Sequence, residues 1–104
     1  MIRVSIHYPS KPGAKFDVDY YAGKHMDLVT ELLKPAGLVR WEVDKGLSGP
    51  APDSPAPFVA VGHLYFNTVD DFQKAFAAHG AALTADLPNF TDIEAQIQIN
   101  EIIG

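Results

Sequence analysis

The chain has 104 residues, no cysteine and a formal net charge of −5 at pH 7, with 47% hydrophobic and 20% charged residues. This length and balance predict one globular domain spanning residues 1–104. The acidic charge argues against a nucleic-acid surface, and the missing thiols exclude disulfides and zinc–thiolate sites. The amino terminus enters a strand pattern without the apolar segment of a signal peptide, and no apolar run reaches the length of a membrane span, so we expect a cytoplasmic protein.

The first half of the chain predicts a strand, a helix and a second strand. Apolar residues alternate along residues 2–8, which is typical of a strand. Residues 17–34 place their apolar side chains on one side at about 100° per residue, which predicts a helix that Pro35 ends. Apolar and charged residues alternate around Trp41, which predicts a second strand over 38–47.

The second half predicts a loop, a strand, a helix and a last strand. Four of the eight prolines lie within residues 48–57, which indicates a surface loop, and a mostly apolar third strand follows over 58–66. Thr68 is a suitable N-cap for a second helix, which Gly80 is expected to kink or end. Isoleucines at every second position predict a final strand over 93–103.

The order β-α-β-β-α-β predicts an α+β domain of the ferredoxin-like class, with a four-stranded antiparallel sheet and two helices on one face. Two helices leave the other face of the sheet uncovered. Because Trp41 and the aliphatic strand residues are too apolar to remain in water, we expect this second face to pack against the same face of another copy. The sequence therefore predicts a homodimer, with the last strand contributing to its interface.

Two histidines fall on the predicted apolar faces of the helices. His25 follows Tyr21 by one turn in the first helix, and His79 follows Phe76 by one turn in the second. An imidazole aimed at a core must be hydrogen-bonded there or line a cavity, because an unpaired buried polar group costs about 1–3 kcal/mol. Either histidine is therefore a core residue bonded to backbone or water, or part of a polar-lined pocket. The occurrence of two strengthens the pocket interpretation without excluding the other.

Several runs along nearly the whole chain resemble, in the same order, segments of the EthD family. The runs are residues 16–21 (FDVDYY) with 25–29 (HMDLV) for the helix motif, then 46–47 (GL), 62–64 (GHL), 72–76 (FQKAF) with 79–80 (HG), and 86–93 (DLPNFTDI). The resemblance implies a dimeric α+β barrel. The family takes its name from a protein linked to bacterial degradation of ethyl tert-butyl ether beside a cytochrome P450 system. Related barrels include cofactor-independent monooxygenases, muconolactone isomerases, and polyketide decarboxylases or dehydratases.

The resemblance also implies a pocket between helices and sheet. The predicted helical phases point His25 and His79 into this pocket, which makes both candidate catalytic residues. Histidine gives and takes protons near neutral pH, which suits enolisation, isomerisation or decarboxylation of a carbonyl compound with no cofactor. Tyr21 is either a hydrogen-bond donor to the substrate or a core tyrosine. His63 faces either the pocket or the dimer interface, because its strand phase is not fixed. The candidate substrate-binding residues are Tyr21, His63, Phe72, Phe76 and Phe90.

Three functional interpretations follow. The first is a cofactor-independent isomerase, lyase or monooxygenase acting on a small organic molecule in a catabolic reaction. The second is a non-catalytic binding or carrier protein that accompanies a degradative oxygenase, and the third is a haem-binding barrel with His79 as the iron ligand. The histidines lack the local spacing of a metal site, so no metal site is predicted.

Overall fold

The sheet has the topology predicted from the sequence. The computed structural model describes every residue from 1 to 104, and its strands are β1 (Ile2–Pro9), β2 (Arg40–Lys45), β3 (Phe58–Phe66) and β4 (Gln96–Glu101). They form one antiparallel sheet in the order β2-β3-β1-β4. With the helices between β1 and β2 and between β3 and β4, this is the ferredoxin-like α+β fold.

The first helical segment consists of three pieces, which are α1 (Val18–Tyr20), a π-helical turn (Tyr21–His25) and α2 (Met26–Leu33). Asp17 caps its start, where the carboxylate accepts a hydrogen bond from the backbone N–H of Tyr20 at 3.1 Å. Inside the π turn, the backbone N–H of Met26 donates to the carbonyl of Tyr21, five residues earlier. The sequence predicted a helix here, and the structure shows that this helix contains an irregular π-helical turn.

The π turn changes which residues face the sheet. A π turn holds one more residue than an α turn, so the phase of the helix surface shifts where it occurs. Ala22, predicted on the apolar side, is exposed, whereas Met26 is buried. The prediction at a constant 100° per residue is therefore wrong for Ala22.

The second helix, α3 (Val69–Asp86), runs on through Gly80 into a 3₁₀ turn (Leu87–Asn89). Thr68 is its N-cap, as predicted, and its hydroxyl accepts from the backbone N–H of Asp71 at 3.1 Å. The expected kink or end at Gly80 is wrong. A Cβ at Gly80 would lie 3.0 Å from the ring of Phe76, so this glycine allows close packing inside a continuous helix. None of the helices combines the length and apolar character needed to cross a bilayer.

One face of the sheet and the two helices enclose the core. Every second residue of β1 and β3 points towards the helices, beginning with Ile2 and Ala60. The buried residues that meet there come from both layers, namely Val4, Tyr8, Leu64 and Phe66 from the sheet and Tyr21, Met26, Val29, Leu33, Phe72, Ala75 and Leu83 from the helices.

The other face of the sheet is polar, which corrects the argument that Trp41 makes it apolar. Trp41 pairs with Leu64 on the helix-facing side, and its indole N–H donates to the hydroxyl of Thr30 in α2 at 2.8 Å. The uncovered face instead carries hydrogen-bonded side chains. Tyr65 donates to Glu42 at 2.6 Å, and Glu42 also pairs with Arg40.

Candidate functional site

A cavity of about 90 Å³ lies between the helices and the sheet. Fourteen of its seventeen lining residues are hydrophobic, as is usual for small-molecule sites. Phe76 and Ile97, 41% and 52% exposed, mark the side on which the cavity opens to solvent. The polar side chains along its wall are those of Tyr8, Tyr21, His25 and Thr84.

The π turn brings Tyr21 and His25 to this cavity. Both residues are buried, at 3% and 6% exposure, and their rings stack with centroids 5.9 Å apart. They are the first and last residues of the π turn, and local π-helical geometry is often found at functional sites. The irregular turn therefore sets the position of two of the four polar groups in the cavity wall.

His25 is paired with Asp86, the last residue of α3. Nδ1 of the imidazole lies 2.9 Å from Oδ2 of the carboxylate, and both side chains are largely buried. Oδ1 of Asp86 accepts two more hydrogen bonds, from the hydroxyl of Tyr20 at 2.8 Å and from the amide of Asn89 at 2.9 Å. Asp86 is thus fixed by three donors from two parts of the chain.

The same contacts keep Asp86 ionised. Burial disfavours the charged carboxylate and raises its pKa, but the hydrogen bonds from Asn89, His25 and Tyr20 outweigh burial and hold the pKa of Asp86 below its ordinary value. A carboxylate accepts hydrogen bonds only, so Nδ1 of His25 carries the proton. In the neutral imidazole Nε2 is then an acceptor, and no group of the chain bonds to it.

Two tyrosines that line the cavity have hydroxyls without a hydrogen-bond partner in the chain. Tyr8 and Tyr21 belong to β1 and the π turn, and their rings meet edge to face at 5.4 Å. Burial raises the pKa of Tyr8 to about 12. Burial, followed by the nearby Tyr8 and Asp44, raises the pKa of Tyr21 further still, so both hydroxyls stay protonated at neutral pH.

Gly62 of β3 makes room for the Tyr21 hydroxyl. A Cβ built at Gly62 would overlap the hydroxyl oxygen more closely than any ordinary van der Waals contact. The absence of a side chain therefore lets the tyrosine reach the sheet at the floor of the cavity.

The aromatic candidates divide into two groups. Phe72 and Phe76 line the cavity. Phe90 does not, because its fully buried ring packs against the imidazole of His25 at 4.7 Å and forms part of the support behind it. The prediction that Phe90 forms a pocket wall is corrected accordingly.

The other two candidate histidines lie elsewhere. His79 is half-buried on α3 but does not line the cavity, so the predicted shared cavity of His25 and His79 does not form. His63 lies on the uncovered face of the sheet, where Nε2 is 2.7 Å from Oδ2 of Asp44. Gly62, the preceding residue of β3, lies on the helix-facing side of the sheet, so His63 lies on the other side. The structure thus gives the strand phase that the sequence left open.

Sequence reasoning missed Asp86, Tyr20, Asn89 and Tyr8. Tyr8 carried a usable signal, since it continues the alternation of Ile2, Val4 and Ile6 on the core side of β1. Asp86, Tyr20 and Asn89 had no signal in the periodicity, although all three lie within the runs 16–21 and 86–93 that resemble the EthD family. No group of three or more His, Cys, Asp or Glu side chains is placed to hold a metal ion.

Comparison with known proteins gives a consistent family relationship. The model of the EthD domain matches residues 14–94. An EthD-like protein from Ralstonia eutropha JMP134 superposes with a TM-score of 0.94 and 36% identity, covering 99% of this chain and 92% of that one. No curated protein sequence matches the chain significantly.

Two more distant structures share the fold. An ethyl tert-butyl ether degradation (EthD) family protein from Bacillus halodurans C-125 has a TM-score of 0.74 and 19% identity, with 99% of each chain covered. The hydroxynitrile lyase of Passiflora edulis has a TM-score of 0.63 and 18% identity, covering 99% of this chain and 96% of that one.

Proposed function

This chain belongs to the EthD family, and we propose that it binds a small, uncharged organic molecule on which His25 moves a proton. The pairing of His25 with Asp86 at the wall of an apolar cavity carries the proposal. Asp86 orients the ring and stabilises the imidazolium that forms when Nε2 takes a proton, as a carboxylate does in other histidine pairs.

The uncharged character of the ligand follows from the lining of the cavity. No lysine or arginine lies along its wall, and the ionised Asp86 stands directly behind His25. A carboxylate or phosphate on the ligand would have to be buried without a cation to pair with, at a high cost in free energy. A small compound fits the volume, with larger substituents leaving past Phe76, where the cavity opens.

Proton movement between carbon atoms is the chemistry of isomerases and lyases, and it needs no cofactor. The hydroxynitrile lyase of similar fold is only 18% identical, so it supports the fold and not the reaction.

The carrier interpretation uses the same cavity without chemistry. The haem interpretation receives no support, because a cavity of about 90 Å³ is far smaller than a porphyrin and His79 lies outside it.

Deuterium incorporation tests the proton transfer without knowledge of the natural substrate. The protein is incubated in D₂O with cyclopentanone, γ-butyrolactone or cyclobutanecarbonitrile, each a small uncharged compound with an acidic C–H bond. Catalysed exchange seen by proton NMR with at least one of them, lost in His25→Gln and kept in the matched control His79→Gln, is the expected result. Tight binding of these compounds with no exchange above the buffer rate would favour the carrier interpretation.

We further propose a homodimer formed by the uncovered face of the sheet. This face carries polar side chains around the half-buried Val61, and no helix of the same chain covers it. Sedimentation at micromolar concentration is expected to show a dimer, and Val61→Lys to shift it to monomer, whereas Ala81→Lys on the exposed side of α3 leaves it unchanged. A monomeric wild-type protein would refute this part of the proposal.

A further inference from the structure

The hydroxyls of Tyr8 and Tyr21 mark where an oxygen atom of the ligand sits. We propose that they together bind a carbonyl oxygen, so that the molecule on which His25 acts is an uncharged ketone or ester with a C–H bond beside its carbonyl. This inference rests on the proton transfer proposed above and names the class of substrate for it.

The hydroxyls of Tyr8 and Tyr21 are hydrogen-bond donors that bind no other group of the chain. Both tyrosines line the cavity, and neither hydroxyl has a hydrogen-bond partner in the chain. Neither hydroxyl oxygen is fully buried, because the only fully buried polar side-chain atom left unpaired is Nδ1 of His63. Donors kept unpaired in an apolar cavity favour a ligand atom that accepts hydrogen bonds. Their ring centroids are 5.4 Å apart, so the two tyrosines are neighbours although they belong to different elements.

A carbonyl oxygen suits this pair better than a hydroxyl or an anion. It has two lone pairs and no proton of its own, so it accepts from two donors at once. Because burial keeps both tyrosines protonated, they act as donors throughout the neutral range. Donors aimed at an oxygen whose negative charge grows during reaction stabilise that charge most when it has fully formed.

The step that follows is balanced within the site. Nε2 of His25 removes a proton from the carbon beside the carbonyl, and the electron pair of that C–H bond forms a carbon–carbon double bond. The π electrons of the carbonyl move onto its oxygen, where the hydroxyls of Tyr8 and Tyr21 hold the charge. The proton then returns from Nε2 to the same carbon, or to the far end of a conjugated system, so no electron or co-reactant is needed.

A matched pair of probes separates oxygen recognition from apolar binding. Cyclopentanone and methylenecyclopentane have nearly the same shape, but only the first has an acceptor oxygen. Binding of each to the full chain is measured by ¹⁵N chemical-shift titration of the wild type, Tyr8→Phe, Tyr21→Phe and the control Tyr65→Phe, whose hydroxyl lies on the other face of the sheet. We expect each cavity variant to weaken ketone binding about three- to tenfold and leave the hydrocarbon unchanged.

Ketone affinity that is equal in wild type, Tyr8→Phe and Tyr21→Phe would overturn the inference, as would a wild type that binds neither probe at millimolar concentration. The proton transfer is read separately, by deuterium exchange of cyclopentanone in His25→Gln. If exchange survives in His25→Gln while both tyrosine variants lose ketone affinity, the role of His25 fails and the oxygen site stands. If His25→Gln loses exchange while the tyrosine variants bind the ketone normally, the oxygen site fails and the role of His25 stands.

Discussion

Nδ1 of His25 lies 2.9 Å from Oδ2 of Asp86, although the two residues are 61 positions apart in the chain. The pair joins the end of the π turn to the end of α3, and so it connects the two helical elements beside the cavity. Both side chains are largely buried, so the contact is poorly screened by solvent and fixes the ring and the carboxylate together.

Asp86→Asn is expected to lower the free energy of unfolding at pH 7 by about 1–3 kcal/mol, because the buried imidazole of His25 loses its charged acceptor, as do the less buried side chains of Tyr20 and Asn89. Chemical denaturation measures the effect. The matched control Asp70→Asn removes an exposed pair with Lys74 and should cost less than about 0.5 kcal/mol. Equal losses in the two variants would contradict a structural role for the buried pair.

The difference between wild type and Asp86→Asn should also depend on pH. The pKa of Asp86 is lowered in the folded protein, so its contribution to stability is fully present above the ordinary carboxylate value near 3.8 and is lost as the pH falls through the folded value. Denaturation curves recorded between pH 7 and pH 2 should therefore converge for the two proteins at the acid end. A constant difference over this range would show that the charge of Asp86 is not responsible.

Tyr20→Phe is expected to raise the pKa of Asp86 towards its ordinary value, because one of three hydrogen bonds to the carboxylate is lost. The ring contact with Phe90 remains, so the loss of stability should be smaller than that of Asp86→Asn. Titration of the Asp86 side-chain carbon by NMR measures the shift. An unchanged titration curve would mean that Tyr20 does not support the ionised carboxylate.

Sequence periodicity was sufficient for the fold and for the burial of His25. The alternation around Val4 reports which face of β1 is apolar, and the order of elements leaves few topologies. The mostly apolar β3 has no such alternation, which is why the sequence left the phase of His63 open. The position of His79 was wrong for a definite reason. Alanines surround α3 on exposed and buried sides alike, as at Ala75 and Ala82, so its apolar stripe defines the helical phase loosely.

The rest of the site depends on contacts that periodicity does not contain. The partner of His25 comes from the other helix, and helical periodicity does not single out Asp86, although Asp86 begins the run 86–93 that resembles the EthD family. The π turn has Tyr21 and His25 at its ends, both buried in the fold, and the periodicity of the sequence does not reveal it. These long-range interactions become visible only in three dimensions.

Deletion of Gly23 is expected to convert the π turn into a regular α turn and to rotate His25 away from Asp86. Gly23 is exposed and has open space around it, so the deletion removes no side-chain packing. Far-ultraviolet circular dichroism should show a folded protein, and cyclopentanone binding should be lost. In the control Gly23→Ala, which retains the length of the turn, binding should remain and stability should rise by about 0.5–1 kcal/mol. Binding that survives the deletion would show that the π turn does not position the site.

Gly62→Ala is expected to destabilise the fold by about 1–3 kcal/mol, because the new Cβ overlaps the hydroxyl oxygen of Tyr21 in a packed region. Removing that hydroxyl should relieve the overlap, so Gly62→Ala combined with Tyr21→Phe should be more stable than Gly62→Ala alone. The free energies of unfolding of the four proteins form a double-mutant cycle, and a coupling of about 0.5 kcal/mol or more is expected for residues in contact. Strictly additive effects would mean that Gly62 has another role than admitting the Tyr21 hydroxyl to the floor of the cavity.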